Sequence, residues 1–247
     1  MHRVPAHVTG ELVVVGTGIG AARLTAEGRA AIEAADRVLY LVPDPISVHA
    51  VEQLNPRSTS LADCYVEGEH RRKAYARMVE AILEPVRAGQ RVCAAFYGHP
   101  GVFVLPSHDA VALARSEGFA ARMLPGISAE DCLFADLGVD PAEAGCQSYE
   151  ATRFLERRPL VEPRAALVLW QVGVVGSANH SAEAHAPRLH ELVERLRELY
   201  PDEHEVVIYE ASSFTGVAPL IRPTPLVGLA DAVTPASTLY VPPLERP

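Results

Sequence analysis

The chain has 247 residues, 49% hydrophobic and 21% charged, with a formal net charge of −9, an ordinary composition for one large soluble domain or two small ones. No apolar run nears the ~20 residues that cross a bilayer, and the acidic balance excludes a nucleic-acid partner unless a local basic patch exists. MHRVPAHVTG lacks the apolar stretch of a secretion signal, and four cysteines without a CxxC pair suit reduced thiols, so the expected compartment is the cytoplasm.

Glu11 to Val15 reads as a buried strand running into Gly16-Thr17-Gly18-Ile19-Gly20. A helix is predicted from about Thr25 to Ala35, with Thr25 as its N-cap and Glu27 favouring its first turn. Arg37 to Val42 is the next strand, stopped by Pro43 and Pro45. A long helix follows from about Glu69 to Arg87, with Tyr75, Met78, Val79, Ile82, Leu83 and Val86 on one stripe. Arg91 to Phe96 is a strand, Ser107 to Ser116 a helix, and Ala120 to Leu124 a strand ended by Pro125-Gly126. This alternation predicts a mostly parallel sheet covered by helices.

Beyond Gly126 the rhythm changes. A helix is expected over Ser128 to Leu137, a strand over Ala165 to Val172, a helix over Leu189 to Leu199, and strands at Glu205 to Tyr209 and Ser237 to Val241. The chain therefore divides into two α/β parts, 1–126 and 127–247.

The glycine loop after the first strand lets backbone approach a ligand. Gly16, Gly18 and Ala21 fit a loose dinucleotide pattern. However, Arg23-Leu24-Thr25 separates the loop from its helix, which disfavours a pyrophosphate on the helix N-terminus. A plain turn and a loop for another ligand both stay open. Three further strands run into loops at Tyr97–Phe103, Leu124–Phe134 and Leu169–Gly173, and ligands in open α/β sheets sit at such carboxyl ends. His180, His185 and His190 recur every five residues, which does not stack them on one helical face, and no metal site is expected.

GTGIGAARLT resembles the first signature of the tetrapyrrole methylases. YGHPGVFVLPSH and ARMLPGISAEDCLFADL, with YEA at Tyr149 to Ala151 and LVLWQVGVVG, are similar to one branch of that family, the borosin-type peptide backbone α-N-methyltransferases that make omphalotin precursors. Most of the wider family carries Gly-Asp-Pro where this chain has Gly98-His99-Pro100. The resemblance implies a class III methyltransferase fold: two α/β subdomains with S-adenosylmethionine in the cleft between them. Carried over by motif, it implies cofactor contacts from Gly16, Gly18, Tyr97, Gly98, His99, Val102, Phe103, Ser128, Ala129, Gln171, Tyr209, Ala211, Ser237, Thr238 and Leu239.

It also implies a catalytic set of Tyr65, Arg71 and Tyr75. The residues themselves agree in part, because Arg71 and Tyr75 are i,i+4 neighbours at the head of the apolar stripe. A guanidinium there needs a partner or a cleft; a core Tyr75 with an Arg71 snorkelling to solvent is the plainer alternative. An amide nitrogen is a poor nucleophile, its lone pair delocalised into the carbonyl. One tyrosinate, held down in pKa by Arg71, is expected to accept the N–H proton, while the other tyrosine or Arg71 donates to the imidate oxygen. Cys64 stands where the family pattern has another aromatic, so peptide-side contacts are expected to differ, and no base near it supports a nucleophile.

Family members with a fused substrate continue into a clasp and a C-terminal peptide. The sequence here ends at Pro247, so a separate precursor peptide is expected, bound by a homodimer or in a heterotetramer with two precursor chains. No membrane partner is expected. The competing readings are a precorrin-type C-methyltransferase, a non-catalytic peptide-binding partner of the same fold and, less favoured by the loop spacing, a dinucleotide oxidoreductase.

Overall fold

The computed structural model describes residues 10–177 and 186–245. They fall into two compact units, Met1–Asp131 with Ser213–Val217, and Cys132–Ser212 with Ala218–Pro247. The change of rhythm along the sequence suggests a division after residue 126. The contacts change at Asp131, within a helix, and a short later stretch rejoins the first unit.

The first unit is built on a five-stranded parallel sheet of order β3-β2-β4-β1-β5. Its strands are β1 (Glu11–Gly16), β2 (Arg37–Leu41), β3 (Ser58–Ser60), β4 (Arg91–Phe96) and β5 (Ala120–Met123). β1, β2 and β4 are near-continuous apolar runs because helices cover both faces of a parallel sheet. Val14 lies level with Ala94 on one side and Met123 on the other.

The covering helices are α1 (Ala26–Ala34), α2 (Pro45–Leu54), α3 (Arg71–Arg87) and α4 (Leu105–Ser116). Thr25 caps α1 as expected, its hydroxyl accepting from Gly28 N–H at 3.0 Å. The stripe of α3 is borne out, with Met78, Val79, Ile82, Leu83 and Val86 buried and Tyr75 packed partly against them. The sequence presents Pro43 and Pro45 only as stops, yet Pro45 opens α2, a position where its missing N–H costs nothing. The Asp44 carboxylate caps that helix through Ser47 N–H at 2.8 Å.

α5 (Ala129–Leu137) carries the chain from one unit to the next. The second unit contains α6 (Pro141–Ala144), β6 (Cys146–Glu150), α7 (Ala151–Arg157), β7 (Ala166–Trp170), α8 (Leu189–Arg197), β8 (Glu205–Glu210), β9 (Leu220–Pro225), α9 (Leu229–Ala232) and β10 (Thr238–Val241). Its sheet, of order β6-β7-β10-β8-β9, is mixed: β6 and β7 are parallel, and every other pairing is antiparallel. β6, α7 and β9 escape sequence reading because their runs are short and polar, and Pro223 and Pro225 mark β9 as an edge strand. His180 and His185 lie outside the described residues; His190 is exposed on α8.

Candidate active site

In the first unit the loops after β1, β4 and β5 close on one another through glycine. A Cβ on Gly16 would stand 2.3 Å from the carbonyl of Gly98 and 2.9 Å from Cα of Gly126. One on Gly126 would stand 2.5 Å from the same carbonyl. Gly18 and Gly98 pair as an isolated bridge, Gly98 N–H donating to Gly18 O at 2.8 Å. Gly16 therefore serves loop-to-loop packing. Gly98 differs: its φ is +69°, and an added Cβ would meet only Ile19 Cδ1, at 3.4 Å, so its outer face is open.

The loop from Tyr97 to Val104 is fixed from several sides. Gly101 N–H donates to His99 Nδ1 at 2.9 Å, which leaves Nε2 to carry the proton of the neutral ring. Ser107 hydroxyl is bonded to the carbonyls of Pro100 and Val104, and His108 Nε2 contacts Gly101 O at 3.0 Å. Phe103 holds a left-handed φ of +57°. Val102 and Phe103 remain exposed, and a strained, exposed aromatic on a braced loop is an observation that points toward function. Ser128 is mostly committed to structure: its N–H and hydroxyl both donate to Asp131 Oδ2 at 2.7 Å, and its hydroxyl accepts from Asp131 N–H at 3.1 Å, capping α5, which begins at Ala129.

Tyr65, in the loop after β3, and Arg71 and Tyr75, on the first turns of α3, lie near Tyr97. Tyr65 follows a tight turn over Ala62–Cys64, and Arg71 opens α3 with Tyr75 one turn on. The Tyr65 and Tyr75 rings meet edge to face, centroids 6.5 Å apart. Burial pushes the Tyr65 phenol up to about 12, with Tyr75 and Tyr97 adding to the shift and Arg71 opposing it. Tyr97 exposes 46% of its surface, yet burial of its hydroxyl raises its pKa too, Tyr75 again adding and Arg71 opposing. For Tyr65 this corrects the expectation of a tyrosinate held down by Arg71, because desolvation of the phenolate outweighs the nearby cation. Among the described residues no carboxylate lies within ion-pair distance of Arg71. Its charge is open to a ligand. Burial also raises the Cys64 thiol, as an inert cysteine requires.

In the second unit, register gathers the remaining candidates at one sheet edge, because Thr238 pairs with Tyr209 and Leu239 with Leu169. Gln171, directly after β7, holds a φ of +59°. The side chains are less available than motif matching implies. Tyr209 and Leu239 are wholly buried. Tyr209 hydroxyl donates to Asp136 at 2.8 Å. Ser237 hydroxyl donates to Glu210 at 3.1 Å, and Thr234 hydroxyl donates to the same carboxylate. Thr238 is buried as well. These positions present backbone, while Gln171 and Ala211 stay partly accessible. Sequence reasoning marks Gly126 only as part of a strand-ending loop and does not single out Glu210, which nothing local signals.

A cavity of about 260 Å³ beside α8 is lined by arginine and glutamate that pair with one another, such as Arg158 with Glu198.

Residues 11–218 match the family of tetrapyrrole (corrin/porphyrin) methylases. The chain belongs to that family. Solved structures agree on the fold: a cobalt precorrin-4 methyltransferase superposes with a TM-score of 0.68 at 17% identity, covering 98% of each chain. The uroporphyrin-III-C-methyltransferase of Thermus thermophilus superposes with a TM-score of 0.65 at 21% identity, covering 95% of this chain and 92% of the other. In sequence, the chain is similar to relatives of the borosin branch. It is 43% identical over 244 residues to the methyltransferase/ribosomally synthesized cyclic peptide omphalotin A precursor of Omphalotus olearius, and 42% over 243 residues to the gymnopeptides precursor of Gymnopus fusipes. Both matches take in 96% of this chain, which spans 58% of either relative's length.

Proposed function

We propose that this tetrapyrrole-methylase-family chain is an S-adenosylmethionine-dependent methyltransferase acting on backbone amide nitrogens of a precursor peptide. The observation that carries the reading is the convergence of Tyr65, Tyr75 and Tyr97 around an Arg71 that lacks a carboxylate partner among the described residues. The relatives' names join methyltransferase and cyclic-peptide precursor in one protein.

The cofactor supplies an electrophilic methyl group on a sulfonium. The open face of Gly98, the accessible Val102 and Phe103, and the single donor of His99 fit a small ligand with apolar and polar parts. Gly16 and Gly18 shape that loop edge, and Ser128 and Ala129 place the start of α5.

The chain's own residues then handle the amide. Arg71 donates to the carbonyl oxygen, on which negative charge grows as the nitrogen lone pair is freed. Tyr65 accepts the N–H proton. A phenol at about 12 is ionised to only ~10⁻⁴ at pH 8, but its phenolate is a stronger base than an ordinary tyrosinate and better matched to an amide N–H. The charge of Arg71 favours the phenolate against the burial that opposes it. Tyr75 and Tyr97 supply further phenol donors beside the developing imidate.

The test is to incubate purified protein and S-adenosylmethionine with a precursor peptide of the relatives' type and weigh the peptide, beside protein given S-adenosylmethionine and uroporphyrinogen III. Methyl groups on peptide backbone nitrogens are expected. Methylation of the macrocycle with the peptide untouched would overturn the proposal, and a peptide that binds unmodified would mark a non-catalytic partner.

A further inference from the structure

We propose that Arg77 is a positioning residue that holds Tyr65 against Tyr75; this rests on the reading of Tyr65 as the base. Arg77 lies on α3 but points away from the core stripe and reaches back over the preceding loop. Its Nε and Nη2 both donate to the carbonyl of Cys64, at 3.0 and 2.6 Å. Nη2 also donates to Glu69 at 2.5 Å, and Lys73 approaches the same carboxylate at 3.5 Å. The carbonyl of Cys64 belongs to the peptide bond that leads into Tyr65, so the clamp acts one bond from the phenol-bearing residue.

The surrounding chain needs such a fastening. Val66 to Gly68 is exposed and Gly68 has nothing within 4 Å of its added Cβ. The turn itself is closed by local bonds, Tyr65 N–H to Ala62 O at 3.0 Å and Glu69 N–H to Val66 O at 3.1 Å. These bonds shape the turn, and Tyr65 meets Tyr75 of α3 through its ring and hydroxyl. Arg77 ties the backbone on either side of Tyr65 to α3 at two further points, through Cys64 and through Glu69. Since Arg71 and Tyr75 ride on the same helix, the clamp puts all three proposed catalytic groups into one frame.

Magnitudes separate positioning from stability. The Arg77 side chain is 41% exposed, and ion pairs so open to water add little to folding. Misplacing a reacting group by about 1 Å can cost ~100-fold in rate. Loss of Arg77 should therefore be felt in turnover far more than in melting temperature.

The experiment compares wild type, Arg77→Met and Arg77→Lys. It follows kcat and KM for peptide and S-adenosylmethionine, the melting temperature, and the ¹³Cζ resonance of Tyr65 in tyrosine-labelled protein, assigned by its absence from Tyr65→Phe. Arg77→Met is expected to lower kcat ~10- to 100-fold, keep KM for S-adenosylmethionine within about twofold, and shift or broaden the Tyr65 resonance. Arg77→Lys, which keeps one donor, should recover part of both. Wild-type kcat with an unmoved resonance would overturn the clamp. If Tyr65→Phe proves fully active, the base assignment fails, while the resonance still decides whether Arg77 holds Tyr65. Should Arg77→Met not fold, Glu69→Gln weakens the same guanidinium and is read by the same resonance.

Discussion

The two sheet edges that carry the candidate residues treat their polar groups in opposite ways. At the edge of the second unit, Glu210, Thr234 and Ser237 satisfy one another, and Tyr209 is paired with Asp136. In the first unit Arg71 has no carboxylate partner among the described residues, and tyrosines 65, 75 and 97 crowd together with raised phenol pKa values at 65 and 97. A pattern already closed on itself fixes backbone shape. A pattern left open at some cost in desolvation is available to a substrate. The proposed chemistry belongs to the first unit, and the second presents surfaces formed largely by backbone.

The sharpest way to break this contrast is to remove single hydroxyls. Tyr65→Phe should cut turnover ~10²- to 10⁴-fold, the range of a lost general base, while S-adenosylmethionine affinity by calorimetry stays near wild type. Tyr209→Phe, an equally small change, should leave turnover within a few-fold and cost ~1 kcal/mol in denaturant melts, the value of one hydrogen bond to an exposed partner. Similar kinetic losses from both would erase the distinction.

Gly16→Ala tests the loop junction. Its Cβ would meet backbone oxygen at 2.3 Å, so a destabilisation of about 3 kcal/mol, with weakened cofactor binding, is expected from unfolding curves and calorimetry. An unchanged melt would mean that the three loops yield easily.

A smaller effect should follow pH. Burial lifts Tyr40, Tyr65 and Tyr200 to about 12. Unfolded tyrosines ionise near ~10, so above that pH the unfolded chain gives up protons that the folded chain keeps. The stability carried by these neutral phenols is complete below pH ~10 and is lost as pH rises through about 12. Melting temperatures taken across that window should fall, and the fall should be shallower in Tyr65→Phe.

Much of this was legible from the residues. Apolar runs gave β1, β2 and β4, the stripe gave α3, and Thr25 gave the start of α1. α2 was obscured because Pro45 reads equally as the end of a strand and the opening of a helix. The ionisation state expected of the tyrosine base did not survive, because desolvation depends on packing that spacing along α3 does not reveal. Nor could spacing reveal that Ser128 and Ser237 spend their hydroxyls on neighbours, or that Arg77 reaches back to Cys64.

The most direct test of the account is to map methyl groups on a precursor peptide by fragment mass spectrometry after exposure to wild type and to Tyr65→Phe. Methyls on backbone nitrogens from wild type, and none from the variant despite retained cofactor binding, are the predicted result. Methyls on carbon or side chains, or an undiminished yield from Tyr65→Phe, would contradict it.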